Sequence, residues 1–471
     1  MIKRVLLSLS LIICLSSGAQ TSNFTLKECI EYAWMNNLDV RQYVLNYETS
    51  KIDARQSRTQ MLPTISAGAG QNYQFGRTID RFTNTFVNQT IRTNNISMNA
   101  NFVLYNGLQF ENAVRNQDAL LKASNENIQT IKNQIALSIS SAFLQTIQAD
   151  ENIKNAEFQI TTTTNRIERA QKMVDAGTTD LSALLSLKAQ LANEQLNLIT
   201  AQNTKASAIL NLKTLMQMPF ENDLNIEIPV ISGELMVNTL DAMQIYNIAI
   251  GNMPQVKAAI YQTESAGIQS KISRGNMAPS ISLYGNISTV YSQNSKAITS
   301  VTQTGTQVIG VTQTNNDPVI QPTFAYTTKT IDFGKQIKDN LGQSMGLSLN
   351  WNLFGGFQVQ NQYQKSKINM QISELNLTKV KNTLLSDINI AVTNYNAAKA
   401  RYDAARNNVE AQKLSLDYVQ KRYDAGASTS FDFIQSKNNF LQSQTSETQA
   451  RYELIFRGLI LEYYKGNPIT L

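Results

Sequence analysis

The chain has 471 residues, of which 42% are hydrophobic and only 16% are charged, and its formal net charge is +6. It contains no histidine, which excludes catalytic triads, histidine-based acid–base chemistry and most zinc or iron sites. No run of Lys and Arg concentrates the positive charge, so the composition does not favour nucleic-acid binding. Neither an enzyme nor a cofactor or metal site is predicted.

The N-terminus predicts an export signal. Lys3 and Arg4 precede a short apolar stretch at residues 5–14, and residues 17–19 are small, as a signal peptidase requires. We therefore expect residues 1–19 to be a signal peptide. The mature chain then keeps a single thiol, Cys29, which we expect to be a buried apolar residue. No later window has the roughly 18 consecutive apolar residues of a membrane helix, so the exported chain is periplasmic, secreted or a β-barrel.

The rest of the chain consists of two copies of one plan. The repeated motifs are Met61-Leu-Pro-Thr-Ile-Ser66 with Met277-Ala-Pro-Ser-Ile-Ser282, Phe102-Val-Leu-Tyr-Asn-Gly-Leu-Gln109 with Trp351-Asn-Leu-Phe-Gly-Gly-Phe-Gln358, and Asp175-Ala-Gly177 with Asp424-Ala-Gly426. The last two pairs have the same offset, so the segments between them match without a gap. Each copy is predicted to form a helix, a strand, a loop, a strand, a long helix, a turn and a return helix.

These patterns set the predicted boundaries. The first repeat covers residues 20–218, with strands at about 63–75 and 94–105, a long helix at about 108–174 and a return helix at about 179–216. An equatorial linker covers residues 219–239. The second repeat covers residues 240–464, with strands at about 279–291 and 343–354, a long helix at about 357–423 and a return helix at about 430–464. A tail of residues 465–471 follows.

The two long helices contain neither proline nor glycine, and each would be roughly 100 Å long. Apolar and small residues recur at alternating steps of three and four, which is a heptad pattern. Its core positions begin Ile139, Ala142, Thr146 and Ala149 in the first copy, and Ile388, Ala391, Tyr395 and Ala398 in the second. A solvent-facing helical hairpin and the wall of a helical tunnel both explain this pattern. Gly177 and Gly426 are predicted to end the helices.

The predicted strands alternate apolar residues with Ser and Asn over about 9–11 residues, the length of a tilted membrane strand. A half-buried strand in a soluble sheet has the same alternation. The export signal favours membrane strands, and four strands per chain are too few to close a barrel. Three chains would supply about twelve strands. The polar segments 76–93 and 294–340 are predicted to be extracellular loops.

The sequence resembles the TolC-like outer-membrane efflux protein family. The duplicated plan, the opening Leu26-x-x-Cys29-x-x-Ala-x-x-Asn36-Asn37 helix, Leu353-Phe-Gly-Gly356 and Tyr423-Asp-Ala-Gly426 carry the resemblance over nearly the whole mature chain. It implies a membrane β-barrel plus an all-α coiled-coil barrel, with two structural repeats per chain and four strands per chain in a homotrimeric twelve-stranded barrel.

The resemblance also implies location and partners. The barrel would lie in the outer membrane, in contact with its lipid, and the helical part in the periplasm. The protein would be the passive exit duct of a tripartite efflux or type I secretion system. Its partners would be a periplasmic adaptor and, indirectly, an inner-membrane transporter of RND, ABC or MFS type. The alternative interpretation is that the chain is itself a periplasmic adaptor.

Family positions at the hairpin tips imply a gate. Tyr423 matches the gate tyrosine and Asp432 the first acidic ring position, where three copies would attract cations and raise each other's pKa. Ser428, Gln435 and Ala183 replace the arginine and aspartates expected there, so we expect a gate held by packing and neutral hydrogen bonds. Tyr423 also fits a heptad position, and Asp432 a solvated carboxylate near a helix start.

The family's adaptor contacts lie on the tip turns. By position these are Ala176, Gly177, Thr178, Thr179, Ala425, Gly426, Ala427 and Ser428. The two glycines are also explained by the turn alone.

Overall fold

A computed structural model describes residues 23–80, 84–88, 90–227, 241–467 and 469. The predicted signal peptide, part of the equatorial linker (residues 228–239) and residues 468, 470 and 471 of the tail lie outside the described residues. Contacts divide the chain into two units. The strand unit comprises residues 53–116 and 267–368, and the helical unit comprises the remainder.

The strand unit is built on a four-stranded antiparallel sheet. Its strands are β2 (Thr64–Gln74), β5 (Ile91–Tyr105), β7 (Ser280–Ser292) and β10 (Gly342–Asn350), after the short β1 (Asn23–Phe24) of the helical unit. They pair in the order β10-β7-β5-β2. Each repeat therefore contributes two strands, and β5 and β7 join the repeats at the centre. The outer edges of β2 and β10 have no partner strand within the described residues.

The strand register puts one kind of residue on each face of this sheet. Ala67 lies opposite Met98, which lies opposite Ile287, in an apolar row. The neighbouring row is polar, with Asn99 opposite Asn286, whose Nδ2 donates to Asn99 Oδ1 at 2.6 Å. The predicted alternation is confirmed because side chains of successive strand residues point to opposite faces.

The segments predicted to be extracellular loops are largely ordered strands, which corrects the expectation of irregular loops, whereas their extracellular position stays a prediction. In the first repeat β3 (Arg77–Asp80) pairs with β4 (Thr85–Asn88). In the second, β8 (Lys296–Val311) and β9 (Pro318–Thr330) form a long antiparallel ribbon. The short helix α7 (Phe333–Asp339) follows the ribbon and packs on β7.

The predicted last strand is too long. The structure ends β10 at Asn350, four residues before the predicted end, because the chain turns there toward the next helix. Gly356 and Phe357 both adopt positive φ, +61° each, in that turn. Gly107 and Leu108 do the same in the first repeat, with φ of +70° and +60°.

The helical unit contains two long hairpins. Helix α3 (Gln109–Asp175) and helix α8 (Gln358–Asp424) both have 67 residues, and their first residues belong to the strand unit. The return helices are α4 (Leu181–Met216) and α9 (Ser430–Tyr464). The remaining elements are α1 (Leu26–Asn36), α2 (Leu38–Thr59), α5 (Ala242–Asn252), α6 (Pro254–Gly275) and β6 (Asn225–Ile226), the last paired in parallel with β1.

The predicted heptad positions named above are buried, although Phe143 and Ile147 of α3, which lie outside the pattern, are buried as well. Ile139, Ile388 and Thr146 are fully buried, and Tyr395 is only 2% exposed. The largest core cluster joins α1 to α3, α4 and α9 around Cys29, which is buried as predicted. Within the described part of the chain, every helix is too short or too polar to cross a membrane.

Candidate gate and docking site at the hairpin tips

Both long hairpins end in the same turn. The amides of Gly177 and Thr178 donate to carbonyl oxygens three and five residues earlier, both at 2.9 Å. The amides of Gly426 and Ala427 do the same at 3.0 and 2.8 Å. This is the Schellman motif, and it requires the positive φ of +70° and +73° that the two glycines adopt.

The predicted adaptor contacts lie on these turns. Six of them are exposed and two are half-buried. The exposed ones are Ala176, Gly177, Thr178, Ala425, Gly426 and Ala427, and the half-buried ones are Thr179 and Ser428. The tips therefore present small side chains and a rigid backbone to the solvent.

Asp432 lies in the first turn of α9, where it completes the N-terminal cap. Its Oδ2 accepts from the amide and the hydroxyl of Thr429, at 3.1 and 2.7 Å, and from the hydroxyl of Ser428 at 3.2 Å. Thr429 Oγ1 accepts the amide of Asp432 in return, which makes a capping box. Hydrogen bonds from Thr429 and then Ser428 lower the pKa of Asp432. Two predicted gate residues, Ser428 and Asp432, thus lie together.

The corresponding cap of α4 is simpler. Asp180 Oδ1 accepts from the amide of Ser182 at 3.0 Å. Ala183 stands at the position that matches Asp432 and has no carboxylate to complete a box. Gln435 is exposed, and its Nε2 donates within α9 to the side chain one turn later, at 3.1 Å.

Tyr423, the predicted gate tyrosine, stacks on Phe433. The ring centroids are 5.5 Å apart with planes at 28°, and Phe433 is buried. The guanidinium carbon of Arg166 lies 3.8 Å from the centre of the Phe433 ring, a cation–π contact, and burial lowers the pKa of Arg166. Nearby, Arg169 Nη1 pairs with Asp424 Oδ1 at 3.5 Å. Helix α3 of the first hairpin therefore contacts both helices of the second.

A buried ion pair lies one turn further along α9. Lys437 Nζ is 2.8 Å from Glu194 Oε1, and their side chains are only 4% and 3% exposed. Lys437 Nζ also donates to Thr163 Oγ1 and, at 3.4 Å, to the carbonyl oxygen of Gln159. All three ammonium hydrogens therefore have acceptors. Burial lowers the pKa of Lys437, and the hydrogen bond and charge of Glu194 oppose that effect.

The pair belongs to a network that spans three helices. Thr163 Oγ1 donates to Glu194 Oε2 at 2.6 Å. Gln190 Nε2 donates to Glu194 Oε1 at 3.0 Å and to Asn438 Oδ1 at 2.9 Å. Helices α3 and α4 of the first hairpin thereby hold α9 of the second through satisfied polar contacts, which are strong when shielded from water.

How the gate of the trimer is held stays a prediction, but within one chain a buried ion pair joins the two hairpins near their tips. Sequence analysis missed Lys437 and Glu194, although a signal was present. Lys437 follows the buried Phe433 by four residues, and Glu194 follows the buried Leu187 by seven, so each charge lies on a buried helix face. Among the residues that the structure describes, no group of three or more His, Cys, Asp or Glu side chains is placed to hold a metal ion.

A family model for the outer membrane efflux protein matches residues 29–216 and 245–456, which is most of the chain. The chain belongs to the outer membrane efflux protein family. This efflux protein is 21% identical over 434 residues to the Toxin and drug export protein A of Aggregatibacter actinomycetemcomitans, covering 91% of this chain and 83% of that relative.

Solved structures have the same fold. The outer membrane protein VceC from Vibrio cholerae matches with a TM-score of 0.74 at 16% identity, over 94% of the efflux protein and 96% of VceC. The open state of the MtrE outer membrane channel from Neisseria gonorrhoeae matches with a TM-score of 0.71 at 16% identity, over 94% and 89% of the two chains.

Family and fold together confirm the main predictions. The efflux protein is a trimeric outer-membrane channel, in which the strands contribute to a β-barrel and the long helices to a helical barrel. It is a passive efflux channel and not an enzyme, and it lies in the outer membrane with its helical tunnel in the periplasm. The alternative of a periplasmic adaptor is thereby set aside.

Proposed function

We propose that the efflux protein is the exit duct of a tripartite efflux or type I secretion system, and that a periplasmic adaptor docks on the hairpin tips. The supporting observation is that both tips end in the same rigid turn with exposed small side chains, while a buried network holds the hairpins together. Such a surface lets a partner's backbone approach closely. An inner-membrane transporter of RND, ABC or MFS type supplies the energy through that adaptor. The cargo is small molecules or proteins.

The gate of the duct lies at the same tips. Tyr423 and Asp432 belong to the second hairpin, where the aromatic stack and the capping box fix their positions. Asp432 keeps its charge because its pKa is lowered within the chain. Three such carboxylates around a narrow lumen attract cations and disfavour anions.

Adaptor docking is tested by photo-crosslinking in living cells. A photoreactive residue at Thr178 or Ala427 should give a covalent adduct that mass spectrometry identifies as a periplasmic protein with a long helical hairpin. The same residue at the exposed Thr200, on α4 away from the tip, serves as the control and should not give that adduct. Adducts only with other copies of the efflux protein at both tip positions would contradict the docking proposal.

The gate is tested separately by planar-bilayer conductance of the purified trimer. Asp432→Ala should reduce cation preference and change the single-channel conductance. Asp180→Ala, which removes the cap of the other return helix, controls for loss of a cap alone and should leave ion preference unchanged. The assignment of Asp432 fails if its variant equals the wild type in both conductance and preference, or if the two variants change alike.

A further inference from the structure

The ribbon formed by β8 and β9 is an unusual extension of the second repeat. Its longer strand has 16 residues, so it extends roughly 50 Å. The ribbon leaves the sheet at the end of β7, opposite to the end at which α3 and α8 begin, which is the extracellular end of the channel. It is a two-stranded sheet of its own, and two-stranded ribbons alone in water are marginally stable.

The base of the ribbon is fixed firmly to the sheet. Gln336, on α7, is only 1% exposed. Its Nε2 donates to the carbonyl oxygens of Ser292 and Ile331 at 3.1 and 2.7 Å. Its Oε1 accepts the amide of Ser292 at 3.0 Å. Asn340 Nδ2 donates to the carbonyl oxygen of Val290 at 2.7 Å. Both strands therefore leave the sheet in a defined direction.

One face of the ribbon is mainly apolar and the other is mainly polar. Strand β9 alternates regularly, so its even-numbered residues share a face with their partners on β8. That face carries large apolar side chains, each between 45% and 60% exposed: Ile298, Val301, Val308, Val311, Ile320, Phe324 and Tyr326. It also carries Gln303, Thr306, Thr328 and two prolines between them, and Lys296 and Thr330 at the base. The opposite face carries Thr302, Gln307, Gln321, Thr323 and Thr327, together with the apolar Val319 and Ala325.

The edges of the ribbon are protected against pairing with another strand. On β9, Pro318 and Pro322 lack the amide hydrogen that a strand partner would need. On β8, three bulges interrupt the ladder near residues 299, 304 and 309. A partner must therefore cover the apolar face and not extend the sheet.

We propose that this partner is the same ribbon of the other two copies in the trimer, so that three ribbons pack by their apolar faces into a cap over the outer mouth of the channel. This rests on the trimer. Each ribbon is rooted between β7 and β10. Since β10 and β2 are the two edges of the sheet, closing the barrel requires β10 of one chain to pair with β2 of the next, and the ribbon would continue that interface. Residues 297–316 and 318–328 carry no charge, which allows three identical surfaces to approach without repulsion.

The proposal predicts a contact that matched cysteine variants detect. Cys29, the one cysteine among the described residues, is buried and can be replaced by alanine. In that background, Phe324→Cys places a thiol on the apolar face and Thr323→Cys one on the polar face. A short bis-maleimide added to intact cells should link neighbouring copies through position 324, and much less through position 323.

Accessibility gives a second readout on the same variants. In the purified trimer, a water-soluble maleimide should label position 324 at least tenfold more slowly than position 323, with or without lipid. Equal labelling, protection that requires lipid, protection of position 324 without cross-linking to a second copy, or cross-linking mainly to another protein would overturn the proposal. Heat-modifiable migration of each variant is recorded in parallel, so that an intact trimer with unlinked ribbons refutes the cap while the trimeric channel stands.

Discussion

The two repeats of the chain show how one plan has diverged. Their long helices both have 67 residues and end in the same Schellman turn. In both repeats the chain enters the long helix through two residues with positive φ. The two repeats differ at the positions where one hairpin contacts the other. Lys437 is buried in the second repeat, whereas its counterpart Lys188 is exposed in the first. The features that both repeats share build each hairpin. The features that only one repeat has join the two hairpins to each other.

Removing the buried ion pair should have the largest effect. Lys437→Met leaves the Glu194 carboxylate buried without its cation, which costs about 3–5 kcal/mol. We expect local opening of the tips, measured as faster hydrogen exchange of peptides around residues 190–194 and 434–440 in the trimer. The matched change in the first repeat, Lys188→Met, should alter the free energy of opening by less than about 0.5 kcal/mol.

The double variant sharpens this comparison. Glu194→Leu combined with Lys437→Met removes both charges, and apolar replacements of a buried pair restore most of the stability that one substitution loses. Equal exchange in the Lys437→Met and Lys188→Met proteins would show that the pair does not hold the hairpins together.

The next largest effect is expected where a strand turns into a long helix. Gly107 has a φ of +70°. A Cβ added to it would lie 2.3 Å from the carbonyl oxygen of Gly275 and 2.9 Å from the Cβ of Ala278. The equivalent Gly356 also has positive φ, +61°, but nothing lies within 4 Å of the added atom.

Gly107→Ala should therefore destabilise the protein by about 2–4 kcal/mol, through backbone strain and overpacking. Gly356→Ala pays only the strain, about 1 kcal/mol. The temperature at which the trimer dissociates on heating measures the difference. Similar shifts for both variants would mean that the crowding at Gly107 relaxes at no cost.

Sequence patterns predict the structural features that follow a regular period or depend only on neighbouring residues. The heptad positions around Ile139 and Ile388 and the alternating strands were visible because each follows a helical or a two-residue period. The ribbon was not predicted, because three bulges in β8 break the two-residue period and its Thr and Gln content is typical of a loop. The ion pair was not predicted, because Glu194 and Lys437 are 243 positions apart and only the packing of the two hairpins brings them together.

At the hairpin tips, too, the local features were predictable from the sequence and the contacts between helices were not. Gly177 and Gly426 were predictable as helix ends, since a Schellman turn is a local structure. The stack of Tyr423 on Phe433 was not, because it depends on how α8 packs against α9, and the Arg166 contact depends in addition on α3 of the other hairpin. Asp432 was identified from the family position, and the structure adds that its carboxylate is held in a capping box.

The smallest expected effect is the pH response of that box. Since the pKa of Asp432 is lowered below its ordinary value of 3.8, the unfolded turn binds the proton more readily than the folded one. The stabilisation is therefore fully present above 3.8 and is lost as the pH falls through the lowered value. Amide exchange at residues 430–433, compared between neutral pH and a pH below the lowered pKa, should show the first turn of α9 fraying in acid.

Asp432→Asn should make this turn fray at neutral pH and should abolish its acid response, because the neutral amide cannot accept the Thr429 hydrogen bonds as an anion. The first turn of α4 provides the internal comparison once its own capping carboxylate is removed by Asp180→Asn, since Ala183 occupies the position that matches Asp432 and offers no carboxylate. If the two turns respond alike to acid, the response comes from a general loosening of the tips. A response confined to α9 assigns it to the one carboxylate that distinguishes the second cap from the first.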